Sequence, residues 1–242
     1  MRLTRHNGRA GKHGTYNPKH NDRSFDLENS EHINAELAKK NVYWDCYNGF
    51  RSLAKEELLA DTFEEVEEMF YSSQYRNHVE SQNQRNEKNR HPERNRTTSD
   101  LLKNKKTAPE ETIFQIGTID NHVPPEILLQ VVTDFLVELD TRFGKNVHIL
   151  DWALHLDEGT PHIHERHVFD CENSYGEVAP QQEKALEELG FELPDPTQKP
   201  SKINNRKKTF DSVCRVILFN ITKKYGLDLE EEPEYGGRAY LE

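Results

Sequence analysis

Residues 155–164 read His-Leu-Asp-Glu-Gly-Thr-Pro-His-Ile-His, placing three histidines and two acids within ten positions. Trp152, Leu154, Leu156 and Ile163 lie before and among them, the texture of two short strands joined by a turn. Side chains two apart on a strand share a face, so His162 and His164 project together, and an adjacent strand brings His155 beside them. Three imidazoles on one face of a sheet suit a borderline divalent ion such as Zn, Mn, Co or Ni. A stray His-x-His is more often ordinary hydrogen-bonded structure. The third histidine, the two acids and the turn proline favour a metal site here.

The surrounding elements must hold these groups. Residues 41–47 alternate polar and apolar side chains and read as a strand. Thr62 caps a helix starting at Phe63, with Glu65 completing a capping box and Phe63, Val66, Met69 and Phe70 on one stripe that runs to about Glu87. A short helix over 99–105 is capped by Ser99. Ile113, Gln115, Gly117 and Ile119 belong to a strand. Pro124-Pro125 opens an amphipathic helix that Gly144 ends. Strands over 147–156 and 162–170, a turn over 173–176, and helices over 181–189 and 209–225 complete the reading. The order implies an α+β fold, an antiparallel sheet with helices packed on one face and the histidine strands central.

The chain has 242 residues, only 33% hydrophobic and 31% charged, so part of it is expected as exposed arms or loops. No apolar run approaches the ~20 residues of a membrane span. The first residues lack a signal peptide's apolar core, and the cysteines, Cys46, Cys171 and Cys214, are scattered and odd in number. Both features fit a cytoplasmic bacterial protein with reduced thiols. The net charge of −11 argues against a nucleic-acid partner, but it is unevenly spread. Residues 1–23 hold Arg2, Arg5, Arg9, Lys12, Lys19 and Arg23 against Asp22 alone. Residues 85–106 hold eight cations, Arg90, Arg94 and Arg96 among them, against three acids. Such segments bind phosphate on an acidic protein, or are simply solvated faces. The expected organisation is a basic arm over 1–24 and one domain over 25–228 with a basic segment at 85–110. An acidic tail over 229–242 would begin a further C-terminal region.

The sequence resembles the relaxase domain of the MobV family of plasmid mobilisation, or plasmid recombination (Pre/Mob), proteins, within the HUH endonucleases. The family's third motif, His-x-Asp-Glu-x-Thr-Pro-His-U-His with U hydrophobic, is matched from His155 to His164. Its first motif, His-Asn-x-Arg, is matched at His20-Asn21-Asp22-Arg23, and its Asn-x-Tyr motif at Asn41-Val42-Tyr43. The likeness runs from about residue 20 to about residue 225. His6-Asn7-Gly8-Arg9 also spells the first motif, but Phe25, Asn29-Ser30 and Ile33-Asn34 follow His20 in the family's manner. The chain departs from the pattern at Glu165-Arg166-His167, where apolar strand residues are usual. Glu165 and His167 fall on the face opposite the histidines.

The resemblance implies a metal-dependent nickase that cuts one DNA strand at an origin of transfer, single-stranded or hairpin near the nick, and keeps the 5′ phosphate on a histidine. His20 is then the nucleophile. Glu158 orients or deprotonates it, or is a turn carboxylate or a fourth metal ligand. His155, His162 and His164 hold the ion, with Mn or Mg expected and Zn, Co or Ni compatible. Asp157 supports the turn or a ligand histidine. Asn21, Arg23, Asn41, Arg5, Arg9, Arg90, Arg94 and Arg96 are the DNA-contact candidates, and Tyr43, Trp44, Tyr47 and Trp152 are either core residues or stacking platforms. Dimerisation through a C-terminal region is a further expectation. A DNA-binding autorepressor without chemistry and a phosphoesterase acting on small substrates are the alternatives.

Overall fold

The computed structural model describes residues 1–8, 17–25, 33–51 and 61–230. Its elements are β1 (Leu3–Gly8), α1 (Pro18–Asn21), α2 (Ala35–Ala38), β2 (Val42–Asp45), β3 (Gly49–Phe50), α3 (Phe63–Lys88), a 3-10 turn at Pro92–Arg94 and α4 (Thr98–Lys103). There follow β4 (Glu110–Ile116), α5 (Pro125–Phe143), β5 (Val147–His155), β6 (His162–Glu172), β7 (Val178–Pro180), α6 (Gln182–Glu188) and α7 (Arg206–Lys224). The strands form one antiparallel sheet of order β1-β4-β6-β5-β2-β3, with β7 paired to the end of β6.

The two histidine strands are thus central, as the sequence implies. One face of the sheet carries α5, α6 and α7. Phe114, Trp152, Leu154, Ile163 and Phe169 meet Val131, Phe135 and Leu139 of α5 and Phe210, Cys214 and Leu218 of α7 there. Part of the opposite face is covered by α3 and α4, through Tyr71 and Tyr75 packed on Leu150 and Val168 and flanked by Leu101 and Leu102. The apolar pattern of α3 is weak because its buried stripe rests on tyrosines. Their hydroxyls are satisfied, Tyr71 donating to Thr107 O at 2.5 Å and Tyr75 to Asp170 Oδ2 at 3.1 Å. A bulge at Ile149–Asp151 turns Leu150 toward this second cluster.

The capping box of Thr62 and Glu65 is present, and Pro125 and Gly144 bound α5 as expected. The cap of α4 is Thr97, two residues before Ser99, because Thr97 and Asp100 satisfy each other's backbone N–H groups. The expected arm over 1–24 needs correction over its first third, since Leu3–Gly8 is an edge strand in full register with β4. Leu3 packs on the hydrophobic core, while the inward residues that follow it are anchored by polar pairing. Arg5 Nη1 and Asn7 Nδ2 donate to Asp211 Oδ1 on α7 at 2.9 and 2.6 Å, which hydrophobic periodicity does not register.

Candidate active site

Antiparallel pairing sets His155 opposite His162 and Ala153 opposite His164, so the three imidazoles share one face. Their ring centroids lie 4.8–5.2 Å apart. Each ring has one nitrogen held by an acceptor, which fixes its tautomer. His155 Nε2 donates to Asn21 O at 2.8 Å, His162 Nδ1 to Thr160 O at 2.8 Å, and His164 Nδ1 to Glu111 Oε1 at 2.7 Å. The other nitrogens of His155 and His164 are buried without a hydrogen-bond partner. His162 Nε2 faces Glu158 Oε2 at 3.6 Å. Orphaned imidazole nitrogens converging on one space are the donor set a borderline divalent ion requires. Two overlapping groups of donors come within 4.8 Å of one another: His20, His155 and His164, and His155, Glu158 and His162.

His20 reaches this cluster from α1, a single turn capped by Asn17 and begun by Pro18. Its ring lies 5.3 Å from that of His164 and 5.6 Å from that of His155, and its Nε2 is 3.6 Å from Glu158 Oε1. Burial, with help from the Arg23 and His164 charges and against Glu158, lowers the His20 pKa to about 4. Burial likewise puts His155 well below and His162 below the ordinary value. His20, His155 and His162 are therefore neutral imidazoles at neutral pH. Burial pushes Glu158 up, but His162 and Arg23 outweigh it and hold the carboxyl below its usual range.

Arg23 is the keystone of the first motif. It adopts φ 58°, a left-handed conformation rare outside glycine, and this turns its side chain inward. The guanidinium is 4% exposed and donates to Asp157 Oδ2 and Oδ1 at 2.8 and 2.9 Å, to Glu158 Oε1 at 2.6 Å and to His20 O at 2.8 Å. Asp22 accepts from Phe63 N at 2.7 Å and so ties the segment to the start of α3. Asn41 Oδ1 accepts from Leu156 N at 2.8 Å and Asp157 O from Asn34 N at 2.9 Å, fixing the turn between the histidine strands.

Four of the expected DNA contacts are placed away from solvent. Asn21 and Asn41 are fully buried, Asn21 donating to Glu111 Oε2 at 3.1 Å, and Arg23 is sequestered by two carboxylates. A phosphate reaches none of them without breaking a buried partnership. Arg5 is the fourth, its side chain being 6% exposed and paired to Asp211 on the opposite face. Arg9 and Tyr16 lie outside the described residues. Arg90, Arg94 and Arg96 are exposed, beyond the far end of α3. Asp157 lies in the turn, pairs with Arg23 and accepts from Asn34 N through its backbone carbonyl. Trp152 is core and Trp44 stacks on it, Tyr43 packs on Phe63, and Tyr47 is exposed with its hydroxyl 3.2 Å from Ser73 Oγ. His6 sits on β1, two strands from His164, whereas His20 meets the histidine cluster. Glu165 and His167 are buried on the helix-covered face and bond each other at 3.0 Å.

The sequence reading misses Glu111. Its carboxylate joins His164 to Asn21 and lies 3.5 Å from Arg166, whose guanidinium is paired with Glu67 of α3. The unusual Arg166 thus faces the histidine side and links the site to α3. Only the β4–β6 register brings Glu111 to His164. The single visible signal was a glutamate beside apolar strand residues.

A sheet-borne histidine trio with a fourth histidine delivered from the N-terminal segment is the arrangement the resemblance to HUH enzymes implies. No protein-family model matches the chain, and no curated protein matches it in sequence. Solved structures do share its fold. One is the MobM relaxase domain (MOBV; Mob_Pre) bound to a 22-nt oriT DNA of plasmid pMV158, a Mn-bound crystal structure at pH 4.6, with TM-score 0.52 at 13% identity over 100% of this chain and 96% of that one. The same domain with 22 nt and a 3′-thiophosphate, Mn-bound at pH 6.8, gives 0.53 at 13% identity over 100% and 95%. The chain therefore has the MobM relaxase-domain fold, in line with its resemblance to the MobV family. Among the described residues no helix is long and apolar enough to cross a membrane.

Proposed function

We propose that the chain is a MobV-type relaxase that nicks one DNA strand at an origin of transfer, with His20 as nucleophile. The observation that carries this reading is the placement of the neutral His20 ring against His155 and His164, with Glu158 beside its Nε2. A ring nitrogen of His20 attacks the scissile phosphorus, the N–P bond forms and the P–O3′ bond breaks. The phosphorylated ring sheds the proton of its other nitrogen, for which Glu158 is the nearby acceptor, and the 3′ oxygen takes up a proton to leave as hydroxyl. Arg23 holds Glu158 and the backbone of His20 in place throughout. His155, His162 and His164, with Glu158 in reach, would hold a divalent ion, Mn by analogy with the MobM structures, whose chemistry is to withdraw charge from the phosphate oxygens.

DNA as partner rests on the same fold relationship, since those domains are bound to oriT DNA. The 26 residues of α3 span about 39 Å at 1.5 Å each, so Arg90, Arg94 and Arg96 lie far from His20. Contact there suits a duplex or hairpin flank of about 11 base pairs at 3.4 Å each. The test is incubation of supercoiled DNA from the element that encodes the chain with protein and Mn²⁺, then denaturation. Open circles with one strand cut at a single site and protein attached are expected. Cutting without attachment would mean a hydrolase, and tight binding without cutting would mean a binding module.

A further inference from the structure

His6, which opens the second His-Asn-x-Arg copy, lies outside the centre, yet it stands on the same sheet face. His6 is directly opposite Ile113, and Ile113 directly opposite His164. Two residues along, Thr4 is opposite Gln115, which follows Phe114, the residue paired with Ile163, and so falls on the face of His162. Two rows of side chains therefore run from the histidine centre to the sheet edge, crossing about 10 Å at ~4.8 Å per strand.

The other directions out of the centre are filled. Toward Arg166, Val168 and Asp170 the face is covered by α3 through Glu67, Tyr71 and Tyr75. Toward β2 it is closed by Tyr43 against Phe63 and by Asn41 under the turn. Toward β1, Ile113, Gln115 and Thr4 are only half-buried, and His6 and Arg2 are exposed. A hollow of about 80 Å³ at that edge is shared by Arg2, Thr4, His6, Arg215 and Glu230, bringing two guanidiniums and one carboxylate to the end of the rows.

Resting on the relaxase reading, we infer that the β4–β1 face is the subsite for about one or two nucleotides of the single strand next to the scissile phosphate. Ile113 offers a base an apolar contact. His6, Thr4 and Oε1 of Gln115, whose Nε2 donates to Gly117 O at 3.0 Å, offer hydrogen bonds to base edges, and Arg2 and Arg215 complement the next phosphate. The face is continuous with the centre, polar at its middle and cationic at its rim, which fits an extended single strand.

The probe is a fluorescein-labelled dT15, read by anisotropy, with 5-iodouracil replacements for photo-crosslinking. His6→Ala and Gln115→Ala should each weaken binding about fivefold, as loss of a hydrogen-bonding partner does, and the pair more than either. His6→Gln should restore most of the loss, separating contact from folding, and Val216→Ser on α7 should change nothing. Cross-links should fall in peptides covering 1–8 and 110–118. Wild-type binding with unchanged variants and cross-links confined elsewhere overturns the subsite alone. A wild type that neither binds dT15 nor nicks supercoiled DNA overturns the relaxase reading as well.

Discussion

Replacing Arg23 separates two accounts of the first motif, an arginine that grips phosphate and an arginine that assembles the site. Arg23 donates two charge-assisted hydrogen bonds to Asp157, a carboxylate whose side chain is 0% exposed, and one to Glu158. Removing one partner of such a buried pair leaves an uncompensated charge and costs about 3–5 kcal/mol. For a domain of this size that lowers the melting temperature by roughly 6–20 °C, at about 2–4 °C per kcal/mol. Arg23→Ala should show the full loss. Arg23→Gly should fall short of it by about 1–2 kcal/mol, because glycine accepts φ 58° without strain. Urea titration measures the stability, and binding of a single-stranded oligonucleotide across a salt series measures phosphate contact. The salt slope of the refolded variant should equal that of the wild type. Unchanged stability with a slope reduced by about 0.7, the value of one single-strand phosphate, would refute the assignment.

Three further outcomes follow from the geometry. Glu111→Gln should weaken Mn²⁺ affinity by roughly 10–100-fold in calorimetry, the usual effect of losing an anchor behind a ligand histidine, and an unchanged affinity would remove Glu111 from the site. Arg90→Ala, Arg94→Ala and Arg96→Ala together should flatten the salt dependence of duplex binding by about 2.7, at ~0.9 per contact, and an unaltered slope would mark that run as a solvated surface. In metal-free protein the His20 ring should titrate at about 4 by NMR, against an ordinary 6.5. The unfolded chain then binds this proton first, so thermal stability should rise with pH between about 4 and 6.5. Titration of His20 near 6.5 would contradict its burial beside Arg23.

What the sequence discloses here is what repeats or alternates. Strand parity places His162 with His164, and proline and glycine bound α5, because these signals are local. The edge strand β1 escapes because Arg5 and Asn7 are anchored by pairing with Asp211, some two hundred residues away. Arg23 and Asn41 look like DNA ligands from their types alone, and only the fold shows both spent on the turn that carries Asp157. Glu111 is invisible for the same reason, since its partner lies on a strand that sequence cannot assign as a neighbour. Local chemistry is legible in this chain, and long-range satisfaction of polar groups is not.

The central claim is that His20 carries the DNA. Digestion of the denatured protein–DNA adduct and mass mapping of the modified peptide test it directly. A 5′-phosphate bonded to His20, lost in His20→Ala and retained in Tyr43→Phe, is the expected result. An adduct on His6, Tyr16 or Tyr43 would contradict it, and so would strand cleavage by His20→Ala at the wild-type rate.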